Sequence, residues 1–218
     1  MKGNKIVLFS NVKGGVGKST LCGMFASYLL SKGESVVIVD ADSQASLFRH
    51  RQRDIQDFPD DEPIYPILSR KEIGNAEESL AKLRKLEAWV LIDTPGNLVD
   101  DKLVPLFQAA DNVVIPIHFD SDTVDASVFF LNIFRQISQA PVIFVPNRIK
   151  FDWGKNVAHD KEWVKAKEIL KPYGKLTPRI KDSVAIERYS TVRMLEGYQV
   201  NAVAYAFDAI IKEVLKKR

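Results

Sequence analysis

The chain has a single cysteine, Cys22, among 218 residues, so no internal disulfide can form, which fits a reducing compartment. No apolar run approaches the roughly 18 residues a spanning helix needs, and the N-terminus has no apolar core followed by a cleavage site. A cytoplasmic protein is expected. Disorder is excluded by a hydrophobic fraction of 46% and a charged fraction of 27%, the proportions of an ordinary globular chain. Length allows one well-buried α/β domain, and a single domain over residues 1–218 is the expectation. Net charge is only +3, but it is uneven: residues 1–147 carry 15 Lys/Arg against 19 Asp/Glu, and residues 148–218 carry 16 against 9. Such asymmetry can mark a face for nucleic acid or anionic membrane, although charge alone favours solvated helix faces.

What the chain does have is the stretch Phe9-Ser10-Asn11-Val12-Lys13-Gly14-Gly15-Val16-Gly17-Lys18-Ser19-Thr20. Before it, Lys5-Ile6-Val7-Leu8-Phe9 reads as a buried strand. After it, Leu21, Met24, Phe25, Tyr28 and Leu29 recur at helical spacing up to Gly33. Glycines between a strand and a helix let successive N–H groups turn toward one anion. Lys18 adds a point charge, the helix start near Ser19 adds free N–H groups and the positive end of a dipole, and the Ser19 hydroxyl can ligate Mg²⁺. The bland alternative is a glycine-rich turn with two solvated lysines. Val12 stands where the plain phosphate-loop pattern asks for glycine.

Two acid-ended strands follow. Ser35-Val36-Val37-Ile38-Val39-Asp40 leads into Ala41-Asp42-Ser43-Gln44, placing Asp40 and Asp42 at a carboxyl edge, where open α/β sheets bind ligands. Acids there can also simply cap the next helix. Trp89-Val90-Leu91-Ile92-Asp93 is a Walker B segment whose Asp93 would hold Mg²⁺ through water, with Thr94-Pro95-Gly96 opening a loop that responds to a γ-phosphate.

Between these segments the reading is coarser. Arg49 to Asp54 reads as a charged helix whose Arg49, Arg51 and Arg53 could touch DNA or a partner, although a solvated face is favoured, and an edge strand is expected around Ile64-Tyr65-Pro66-Ile67. A helix is expected over 75–86. Farther on come strands at 112–117 and 141–145, helices at 122–137 and around Trp163–Leu170, and a closing helix over 202–215. Repeated β-α order predicts a mainly parallel twisted sheet with helices on both faces, a P-loop NTPase architecture.

Lys13-Gly14-Gly15-Val16-Gly17-Lys18-Ser19 resembles the deviant Walker A motif of the ParA/MinD ATPases, and the resemblance extends over almost the whole chain. It implies a slow, partner-stimulated ATPase that uses ATP and Mg²⁺. Lys13 would reach the phosphates of the other subunit in a homodimer formed in the ATP state. ATP would be held by Gly14, Gly15, Val16, Gly17, Lys18, Ser19 and Thr20. Asp42 would position the attacking water with Asp40 as its supporting acid, although Ser43 replaces the family's usual proline. Asn147, after a strand, would meet adenine, where the bland reading is a surface asparagine, and Pro178 falls in the adenine-side turn.

Within the family, the Asp-x-Asp-x-Gln form favours a ParA-like DNA-partition ATPase, nucleoid-associated and lacking room for an N-terminal helix-turn-helix module. Non-specific DNA and a ParB-like activator are the implied partners, without stable membrane insertion. Arg179, Lys181, Arg188 and Arg193 are the candidate DNA contacts. A MinD-like positioning ATPase and a small-molecule ligase of related fold are the alternatives. An iron–sulfur carrier would need paired cysteines, which Cys22 alone cannot supply.

Overall fold

The computed structural model describes residues 4–74, 76–96, 100–150 and 157–216. Among them seven strands form one sheet: β1 (Lys5–Phe9), β2 (Val36–Asp40), β3 (Ile67–Ser69), β4 (Trp89–Asp93), β5 (Asn112–Ile117), β6 (Val142–Pro146) and β7 (Gly174–Leu176). Their order is β3-β2-β4-β1-β5-β6-β7, and every pairing is parallel. This is the P-loop NTPase α/β fold expected from the sequence.

The strands are continuous apolar runs because both faces are covered. Ile6 and Leu8 of β1 pack into one core and Val7 and Phe9 into the other. Helices α1 (Lys18–Ser31), α2 (Ser46–Asp57), α8 (Val184–Glu187) and α9 (Gly197–Val214) supply side chains to the Val7 side. On the Ile6 side lie α4 (Ala76–Leu83), α5 (Val104–Ala109), α6 (Ser121–Ile137) and α7 (Val157–Leu170). The short α3 (Arg70–Ile73) follows β3 directly. Phe25 of α1 packs against Phe207 of α9, with ring centroids 5.1 Å apart. The lone Cys22 lies fully buried among these side chains.

Three elements differ from expectation. The edge strand starts at Ile67, past Pro66, which has no N–H for the ladder but whose carbonyl accepts from Ile38 N–H at 3.0 Å. The helix expected to run to Leu86 stops at Leu83, leaving Leu86 exposed. The closing helix starts at Gly197 rather than 202, where Gln199 Oε1 accepts from Glu196 N–H at 2.9 Å and so ties off the first turn. Its inner face, Val203, Ala206, Phe207, Ile210 and Val214, is core, as expected of a closing helix. Among the described residues no helix is long and apolar enough to cross a membrane.

Candidate functional site: a phosphate loop at the carboxyl edge of the sheet

β1 lies between β4 and β5, so the loop leaving it opens at the middle of the carboxyl edge. Asn11, fully buried, pins the loop's start. Its amide nitrogen donates to the Pro116 carbonyl at 2.9 Å and the Ser127 hydroxyl at 3.0 Å, while its oxygen accepts from Lys13 N–H at 3.1 Å. From β4's end, Thr94 donates through its hydroxyl to Ser10 Oγ at 2.7 Å. The loop is thus tied to both neighbouring strands.

Gly15 and Gly17 have φ of 75° and 94°, a region open to glycine and strained for other residues. Gly17 has a second constraint, since a Cβ there would run into the Asn147 amide. Asn147 is buried and donates to the Val16 carbonyl at 2.9 Å, while its Oδ1 is buried with no partner. α1 begins at Lys18, so its first-turn N–H groups and its dipole face the loop.

Asp93 is wholly buried, and neither carboxylate oxygen accepts a hydrogen bond of normal geometry. Burial pushes its pKa up to about 7, Asp40 and Asp42 add to the rise, and Ser19 and Lys18 oppose it. Lys18 in turn is lowered by desolvation, with Asp93 and Asp42 working against the fall. A sealed carboxylate with both oxygens unpartnered, beside a serine hydroxyl, fits a Mg²⁺ ion shared with nucleotide phosphates. Among the described residues no cluster of three His, Cys, Asp or Glu forms a metal cage.

Asp40, paired with Asp93 across the β2–β4 ladder, serves as a cap. Its Oδ2 accepts from Leu47 N–H and Phe48 N–H at 3.1 and 2.9 Å, and its Oδ1 accepts from Asp42 N–H at 3.2 Å. Burial raises its pKa, and those N–H groups oppose the rise. The cap fixes the turn that carries Asp42, whose own Oδ1 accepts from Gln44 N–H at 2.9 Å.

Gly14, Gly15, Gly17, Lys18, Ser19, Thr20, Asp42, Gly96 and Asn147 together line a cleft of about 600 Å³. A larger hollow of about 890 Å³ lies beyond the Asp42 turn, walled by Phe48, Arg70, Lys102 and Leu106. The glycines of the loop, Lys18 and Ser19 border the smaller one.

A sequence profile of the CobQ/CobB/MinD/ParA nucleotide binding domain, CbiA, matches residues 7–192. The chain belongs to this family. The family is one of nucleotide-binding domains. No curated protein sequence matches the chain. Among solved structures, apo McdA from Cyanothece superposes with a TM-score of 0.74 at 21% identity, covering 98% of this chain and 100% of that one. A plasmid partition protein from Borrelia burgdorferi B31 bound to AMPPNP gives 0.71 at 22%, covering 96% and 99%. The ParA of pNOB8 bound to nonspecific DNA gives 0.61 at 18%, covering 97% of each chain.

Other candidate residues lie apart from the cleft's centre. The Lys13 ammonium turns to Asp122 at the start of α6, 3.6 Å away. Pro178 is exposed, just past β7. Lys181 borders the cleft. Arg179 is half-buried, and Arg188 is exposed next to α8. Arg193 pairs with Asp61 and lies over the Phe58 ring, 3.9 Å from its centroid. The solvated face expected for Arg49, Arg51 and Arg53 needs one correction: Arg51 is buried, drawn in by hydrogen bonds to Tyr65 and Thr191.

The sequence analysis gave no role of their own to Asn11, which pins the loop, or to His50, Asp182, Ser183 and Glu187, which line the cleft. Only Asn11 carried a signal, a polar residue directly between strand and loop.

Proposed function

We propose that the protein is a dimerising ATPase of the partition type, which binds DNA without sequence preference in its ATP state and lets go on hydrolysis. The observation that carries this reading is the placement of Lys13. Its ammonium stands off its own cleft, against an exposed aspartate, where a second copy's nucleotide could draw it away at little cost. Non-specific DNA binding is supported by the likeness to the pNOB8 ParA and by the basic balance of residues 148–218.

In this reading the N–H groups of Gly14 to Thr20 and the Lys18 ammonium hold the phosphates. Ser19 and Asp93 would hold Mg²⁺, which would neutralise charge on the phosphoryl oxygens. Asp42 orients water for attack on the γ-phosphorus, and Lys13 of each copy stabilises charge developing in the other's site. Asn147 presents its unpartnered Oδ1 to the adenine amine. A bilayer-bound regulator has less support, because the apolar face of α9 is occupied by core.

The test is binding to a random DNA duplex with no nucleotide, ADP or ATP, with mass followed by light scattering. ATP is expected to produce a DNA-bound dimer, Asp42→Ala to prolong it, and Lys13→Gln to abolish it. DNA ignored in every nucleotide state would sink the reading.

A further inference from the structure

Near α2, three alternate residues of the late chain are gripped in turn. His50 sets its ring edge-on to Tyr189, centroids 4.9 Å apart. Arg51 Nε donates to Thr191 Oγ1 at 2.9 Å, and Nη2 donates to the Thr191 carbonyl at 3.0 Å. Asp54 Oδ2 accepts from both the N–H and the hydroxyl of Thr191, each at 2.6 Å. Just past the helix, Phe58 and Asp61 hold Arg193. Thr191 is fully buried with every polar atom engaged, its hydroxyl accepting from the arginine and donating to the carboxylate. Arg51 is fixed from behind as well, since Nη1 donates to the Tyr65 carbonyl at 2.9 Å and the Tyr65 hydroxyl donates to the Gly23 carbonyl of α1 at 3.2 Å.

The elements so joined are two walls of the nucleotide cleft. Ser46 and His50 come from α2, and Asp182, Ser183, Ile186 and Glu187 from the late run. α2 is also the helix that Asp40 caps, directly after the Asp42 turn. Buried charges of opposite sign on one helix are tolerated only when all their hydrogen bonds are made. Here Thr191, 137 residues from Asp54 and 140 from Arg51, completes them.

We infer that Arg51, Asp54 and Thr191 are positioning residues that couple the Asp42 turn to the late wall of the cleft. Nucleotide bound at one wall then orders residues 182–193, and those residues set nucleotide affinity. The coupling rests on nucleotide occupying this cleft. It also gives Thr191 a function that packing alone would not require.

Thr191→Val and Thr191→Ser separate coupling from packing. Valine keeps the volume but leaves Arg51 Nε and Asp54 Oδ2 short of a partner, whereas serine keeps the hydroxyl. ADP affinity and amide hydrogen exchange with and without ADP would be measured on all three proteins. Wild type and Thr191→Ser are expected to bind alike, with ADP slowing exchange at the phosphate loop and across 182–193. Thr191→Val is expected to bind about tenfold more weakly, the factor one charge-assisted hydrogen bond carries. Its slowing should persist at the phosphate loop and vanish from 182–193. A Thr191→Val protein matching wild type in both respects overturns the coupling. If that variant does not fold, Arg51→Lys, which keeps charge but loses the two-pronged grip, decides by the same two criteria. Wild type that fails to bind ADP overturns the assignment of the cleft, and the coupling with it.

Discussion

A carboxylate sealed from water with neither oxygen hydrogen-bonded, as in Asp93, holds its proton to a higher pH than an exposed one, even with the Lys18 ammonium beside it. Between the reference value of 3.8 and the folded value of about 7, the folded chain keeps a proton that the unfolded chain has released. The group's contribution to stability therefore falls as pH rises through that window. In metal- and nucleotide-free protein, Asp93→Asn should flatten part of the decline in denaturant midpoint from pH 5 to 8. It should raise stability at pH 8 by roughly 1–3 kcal/mol while removing the Mg²⁺ dependence of nucleotide binding. A midpoint whose pH profile is unchanged by the substitution would show that Asp93 is ionised already. Gly17 is constrained twice, by its φ and by the Asn147 amide. Gly17→Ala should cost about 1–3 kcal/mol in urea unfolding and lower ADP affinity in titration.

Among the elements, α2 depends on a cap that is not its neighbour in sequence. Ala45 sits at the N-cap position with φ of 49° and no side-chain acceptor, and Asp40 supplies the acceptor from the end of β2. Asp40→Ala should destabilise the fold by about 1–3 kcal/mol and speed amide exchange at Leu47 and Phe48; Asp40→Asn, keeping one acceptor, should do less. The phosphate loop and the strands before Asp40 and Asp93 were legible in the sequence because their grammar is local: apolar run, acid or glycine, helix start. β3, α9 and Arg51 were less so. β3 turned on Pro66, α9 on the Glu196–Gln199 pairing, and Arg51 on a partner that becomes its neighbour only through the fold. A periodicity argument places a charged residue on a solvent face unless some distant segment covers it, and here one does.

For the whole molecule, the expected behaviour is salt-sensitive association with DNA in the ATP state. Removing one cation that pairs with a DNA phosphate should reduce the slope of log affinity against log salt by about 0.9. Arg188, exposed beside α8, is expected to show that change when replaced by alanine, with stability unaltered. Arg193→Ala should lower the melting temperature first, because its guanidinium already lies on Phe58 and pairs with Asp61. Equal salt slopes for wild type and Arg188→Ala would move the DNA surface elsewhere. The late walls of the cleft and the candidate DNA-binding residues share one run of chain, so a ligand that orders the first also fixes the second in place.

Cys22 makes opening of the loop's own helix measurable without altering the protein. It is the chain's one thiol, fully buried on α1, and burial raises its pKa well above the usual thiol range. A thiol reagent can therefore reach it only when α1 leaves the sheet, so its labelling rate is a clock for opening beneath the phosphate loop. Nucleotide should slow that clock, and any cysteine introduced at the surface would label against a nearly silent background.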